Sequence, residues 1–204
     1  MKNLTLIRHA ATHPQHVFES DKDRLLTQIG FHQVESIVKQ LKEKKSLQDY
    51  LYSQQLDFWQ NGTKTKQPEC INLHEDCKLN GNTDKNLRTK SILCSPAKRA
   101  LQTAQLLCKK LEINPKLINL SPILYSGDTE TILKSISSQS LSNHVFIIGH
   151  NPTLSCLAHK LCPSTHSIIL PTAGVISLSF DIINWDDLLT QQGKLLFFIE
   201  PKHE

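Results

Sequence analysis

No apolar run in this 204-residue sequence approaches the ~18 residues that a membrane-spanning helix needs. The opening MKNLTLIRHA holds only a short apolar stretch, too brief for the core of a secretory leader and without a small-residue cleavage site. The expectation is a soluble, cytoplasmic protein with no membrane partner. Runs of five or more Lys/Arg are absent, no basic stripe alternates with aromatics, and the net charge is only +4. Nucleic acid is therefore not expected as a partner, although a mild positive balance suits an anionic substrate. There is no glycine-rich tract and no internal repeat. The six cysteines are scattered, several of them inside apolar runs, and read as reduced, mostly buried thiols. Cys70, His74 and Cys77 lie close in sequence but lack a clear fourth ligand, so no metal site is expected.

What is present is an alternation of strand and helix signals. Residues 3–7 (NLTLI) form a short strand that ends at Arg8-His9, and residues 10–26 read as a loop. Thr27 then caps a helix that places Val34, Ile37, Val38 and Leu41 on one face. Residues 45–89 are rich in Gln, Asn, Lys and Asp and read as a polar insertion into a single domain that spans 1–204. Regularity returns at SILCSP, with Ser95 and Pro96 expected as the cap and first residue of a helix carrying Ala97, Leu101, Ala104 and Cys108 on one side. A strand at KLINL (116–120), a short helix in SGDTETILKSI, an unbroken apolar strand HVFIIG (144–149), a helix opened by Asn151-Pro152, and two closing strands in GVISLSF and KLLFFIE complete the chain. Such alternation predicts a three-layer α/β/α sandwich around a mostly parallel sheet. Ligands of such sheets bind at the carboxyl ends of the strands.

Those ends carry the chemistry. The first strand terminates in Arg8 and His9, the SILCSP strand leads to Arg99 in the first helical turn, and HVFIIG ends in His150. Two arginines and two histidines at one sheet edge suit a dianion, because a guanidinium fork matches phosphate oxygens. The helix N-termini nearby add backbone donors. A neutral imidazole there can attack phosphorus, and a second can donate to the oxygens that gain charge. No metal or other cofactor is required if these groups neutralise that charge.

LIRHA, CSPAKRALQTAQLL and IIGHNPTL resemble the three signatures of the histidine phosphatase superfamily, also called phosphoglycerate mutase-like. The resemblance spans nearly the whole chain outside 45–89. It implies that His9 is the nucleophile and that Arg8, Arg99 and His150 bind and polarise the phosphoryl group. Within the superfamily, RLLTQIG, LSPILYSGD, GHNPTLSCLAHKLC and PTAGVISLSF are similar to the small SixA-type phosphohistidine phosphatases. By that resemblance Arg24 reaches toward the phosphate pocket, with Asn151 beside His150 a further candidate. Ala10 stands where the signature normally has glycine. The superfamily's glutamate acid motif has no counterpart, which leaves Asp128 and Glu130, in YSGDTETIL, as the acidic candidates by chain position. They read in the first place as a helix cap and a first-turn charge, and only then as a general acid. An alkoxide leaving group needs a positioned acid worth roughly 10²–10⁴-fold. An imidazole can depart neutral, its conjugate acid having a pKa of about 6.5. The missing acid therefore favours phosphohistidine in a phosphotransfer protein as substrate. The alternative is a phosphatase of the same superfamily acting on a small phosphomonoester or on phosphoserine/threonine.

Overall fold

A computed structural model describes residues 1–45, 47–48, 90–139 and 141–202. The expected insertion at 45–89 therefore lies almost wholly outside the described residues, as do Cys70, His74 and Cys77.

Six strands form one sheet: β1 (Lys2–Arg8), β2 (Lys90–Cys94), β3 (Ile118–Leu120), β4 (Leu141–Gly149), β5 (Val175–Phe180) and β6 (Lys194–Ile199), in the order β3-β2-β4-β1-β5-β6. The β1–β4, β2–β4 and β2–β3 pairings are parallel, and β5 and β6 join antiparallel beside β1. Helices among the described residues include α1 (Gln28–Lys42), α2 (Lys98–Leu111), α3 (Ile123–Ser126), α4 (Thr129–Ser137) and α5 (Thr153–Leu161).

The centre of the sheet is apolar on both faces because it is covered on both. Along β4, Phe146 and Ile148 pack into the core made with α1 and α2, where Val34, Ile37, Ala104 and Leu107 are buried. Val145 and Ile147, on alternate positions, pack with Ile132, Leu133, Leu154 and Leu157 of α4 and α5. This is the three-layer sandwich that the alternation predicts. None of the described helices is long and apolar enough to cross a membrane.

Three local expectations are corrected. The cap of α2 is Ala97 rather than Ser95. Ala97, Ala104 and Cys108 are buried as expected, with Ala100, Thr103, Leu107 and Leu111 beside them, whereas Leu101 is only half-buried. KLINL is a strand only from Ile118, because Asn114 caps a single turn, Pro115–Leu117, that uses the proline at its start. The loop 10–26 is not featureless: it contains the single turns Gln15–Val17 and Asp21–Asp23 and a bridge between Thr12 and Leu26. Cys94, Cys108 and Cys162 are free and buried, whereas Cys156 is free and exposed.

Candidate active site

β2, β4 and β1 are adjacent in the sheet, so their carboxyl ends lie side by side. The ladder continues past the strands: His9 N–H donates to Gly149 O (3.0 Å) and Ser95 N–H to Ile148 O (2.9 Å). The His9 carbonyl accepts from Ala173 N–H (3.1 Å), so the His9 backbone is held from both sides. The His9 and His150 rings consequently sit 5.1 Å apart between centroids.

His9 is 8% exposed. Its Nδ1–H donates to the carbonyl of Ala10 (2.8 Å), which fixes the tautomer and leaves the lone pair on Nε2. Burial pushes its pKa down to about 4; the Ala10 bond opposes this, while the charges of Arg99, Arg8 and Arg24 reinforce it. The ring is therefore neutral near neutral pH. His150 is lowered further, to about 3, chiefly by burial and then by His9 and Arg99. Its Nε2 pairs with Ser95 Oγ (2.7 Å). The same Ser95 Oγ also accepts from Ala97 N–H (3.4 Å), so the hydroxyl links the His150 ring to the start of α2. The Tyr125 ring meets His150 edge-on at 5.7 Å.

Buried polar atoms in native proteins find partners, and those that do not call for an explanation. Three such nitrogens belong to site residues: Arg8 Nε, Arg99 Nε and His150 Nδ1 are buried with no partner. Arg8 is anchored through Nη1 to Leu170 O (2.9 Å). Arg99, in the first turn of α2 and 6% exposed, directs Nη1 to the Asp21 carbonyl (2.5 Å) and Nη2 to Asp21 Oδ2 (2.8 Å). An anion with several acceptor oxygens would satisfy what these groups leave open.

The four central candidates, Arg8, His9, Arg99 and His150, thus come together; the other four are differently engaged. Arg24 gives Nε to His13 O (2.9 Å), Nη1 to Asp21 Oδ1 (3.1 Å) and Nη2 to Thr12 Oγ1 (2.6 Å). Asn151 donates to Leu170 O (2.8 Å) and accepts from Ser155 (3.0 Å), bracing the strand-connecting loop that also anchors Arg8. Asp128 is exposed and caps α4 through Thr131 N–H (2.8 Å), and Glu130 is exposed and paired with Lys160.

Several residues that matter to the geometry have no role in the motif reading, although Thr103 lies within CSPAKRALQTAQLL. Thr103 Oγ1 accepts from Ala10 N–H (3.1 Å) and donates to Arg99 O (2.8 Å), tying the loop after His9 to the helix that carries Arg99. Gln33 accepts from Ala11 N–H (2.8 Å) and donates to Thr172 (2.9 Å). Asp21, three residues before Arg24, joins both arginines. The short D-x-x-R spacing was the one sequence signal for it.

The fold is that of the histidine phosphatases, the phosphoglycerate mutase-like architecture. Among solved structures, the chain is similar to one assigned as the phosphohistidine phosphatase SixA from Agrobacterium tumefaciens, at 22% identity and a TM-score of 0.61 over 98% of this chain and 99% of that one. It is similar to the protein histidine phosphatase SixA complexed with tungstate, at 18% identity and a TM-score of 0.59 over 98% and 97% of the two chains. Phosphoserine phosphatase of Entamoeba histolytica, complexed with 3-phosphoglyceric acid, shares the architecture at 14% identity and a TM-score of 0.50, over 97% and 96%. No protein-family model matches the sequence, and no curated protein matches it.

Proposed function

We propose that the protein is a histidine phosphatase that works without a metal cofactor and takes phosphohistidine, carried by a phosphotransfer protein, as substrate. The observation that carries the reading is His9: a buried imidazole, neutral near pH ~7 with its free lone pair on Nε2, set among unpartnered side-chain nitrogens of Arg8, Arg99 and His150.

The Nε2 lone pair attacks phosphorus while those groups hold the equatorial oxygens. The P–N bond to the substrate breaks, and the leaving imidazole, protonated on its other nitrogen, departs neutral. Water then attacks the phosphoryl group on His9, breaking the new P–N bond and releasing phosphate. The choice of phosphohistidine rests on the carboxyls. Burial pushes the Asp21 carboxyl up, but bonds from Arg99, Arg24 and Tyr125 outweigh this and hold it below the usual range, so it carries no proton to give. Asp128 is held low by its bonds to Thr131, and Glu130 is engaged by Lys160. A site poor in proton donors favours a leaving group that needs none.

The test is hydrolysis of phosphohistidine and phosphoserine peptides side by side in the presence of a chelator, by wild type and His9→Ala. Turnover that strongly prefers phosphohistidine and vanishes in His9→Ala is expected. Equal or faster turnover of phosphoserine would remove the substrate assignment, and normal turnover by His9→Ala would remove the mechanism.

A further inference from the structure

Asp21 sits in the single turn Asp21–Asp23, on the loop that leads from His9 to α1. It is only half-buried, yet each of its oxygens is engaged. The main-chain carbonyl accepts from Arg99 Nη1 (2.5 Å), and Oδ2 accepts from Arg99 Nη2 (2.8 Å) and from the Tyr125 hydroxyl (3.2 Å). Oδ1 accepts from Arg24 Nη1 (3.1 Å). A guanidinium gripped at both terminal nitrogens by one residue has a fixed plane. Its remaining nitrogen, Nε, is the buried one without a partner. The same carboxylate, through Tyr125, reaches the ring that meets His150 edge-on.

We propose that Asp21 is a positioning residue: it holds Arg99 by both terminal nitrogens so that Nε–H is presented to the phosphoryl group, and Arg24 braces Asp21 rather than binding phosphate. The proposal builds on the phosphoryl-pocket reading above. Arg24 suits a bracing role because its other two nitrogens are already given to His13 O and Thr12 Oγ1. Fixing a side chain before the substrate arrives removes an ordering cost from binding and from the transition state alike. The opposite reading, in which Asp21 is an internal anion competing with substrate for Arg99, predicts the opposite sign.

The probe is tungstate, a tetrahedral oxyanion whose binding is read by calorimetry without any turnover. Asp21→Asn keeps the shape and removes the charge; Asp23→Asn, at a carboxylate paired with Lys98, removes the same charge two positions away and is the control. Tungstate affinity is expected to fall about tenfold in Asp21→Asn, roughly the loss of one charge-assisted bond, and to stay within about twofold in the control. On an Arg99→Ala background, Asp21→Asn should add less than about twofold, because its effect passes through Arg99. Equal or tighter binding by Asp21→Asn overturns the proposal, as does an undiminished loss on the Arg99→Ala background. If wild type binds tungstate and Asp21→Asn binds it more weakly, but no His9-dependent hydrolysis is found, the positioning role stands and the phosphatase reading falls. His9-dependent hydrolysis with Asp21→Asn unchanged in both assays does the reverse. Wild type that binds no tungstate overturns both.

Discussion

Lowering the pH should destabilise this protein well before its carboxylates titrate, and His9 should account for a definable share. In the unfolded chain an imidazole titrates at its ordinary value of 6.5, whereas burial lowers His9 to about 4 in the folded protein. Between those values the unfolded state binds more protons, so stability is full above the unfolded value and is lost as pH falls toward the folded one. Linkage gives about 2 kcal/mol for His9 alone on going from pH ~7.5 to pH ~5, an appreciable part of the ~5–15 kcal/mol of a typical domain. His150, lowered to about 3, acts in the same direction. The assay is urea unfolding of wild type and His9→Asn at both pH values. Asparagine does not titrate, and its amide can replace the Nδ1–H donated to the Ala10 carbonyl. The acid-induced loss should be smaller in the variant by about 2 kcal/mol. An identical loss in both proteins would refute the claim that the fold holds His9 neutral, and with it the basis for calling this ring a nucleophile.

Two further outcomes follow from the site's supports. Ser95→Ala removes the partner of His150 Nε2 at a fully buried position, and turnover should fall about tenfold or more as the ring loses its orientation; wild-type kinetics would show that Ser95 does not set His150. Gly30→Ala should cost roughly 1–3 kcal/mol in chemical unfolding, since a Cβ there would lie 2.3 Å from the Ala11 carbonyl oxygen, a backbone atom on the loop that follows His9. Unchanged stability would mean that this loop yields freely.

The sequence by itself determined the layer architecture and the four central residues. Apolar runs such as HVFIIG can be satisfied only by cover on both faces, and a residue that ends a parallel strand is carried to the ligand-binding edge whatever the rest of the fold does. Arg8, His9 and His150 were therefore legible from local pattern alone, and Arg99 from its place just after a strand. Local pattern also gave Asp128 its cap reading, since an acid before a first helical turn needs no distant partner.

What only the tertiary structure decided is the set of partners. Ser95 looks like a helix cap because serine at that spacing usually is one, but His150, 55 residues away, takes its hydroxyl and the helix begins two residues later. Arg24 reads as a phosphate ligand from its motif, yet three acceptors engage it, and the nearest in space, Thr12, lies twelve positions back in the chain. Asp21 joins Arg99 across 78 residues. A hydrogen bond between groups so far apart has no periodicity to betray it, because it depends on which loops the sheet order brings together. The strand order β2-β4-β1 performs that work: it sets three parallel strand ends, and the loops that leave them, side by side.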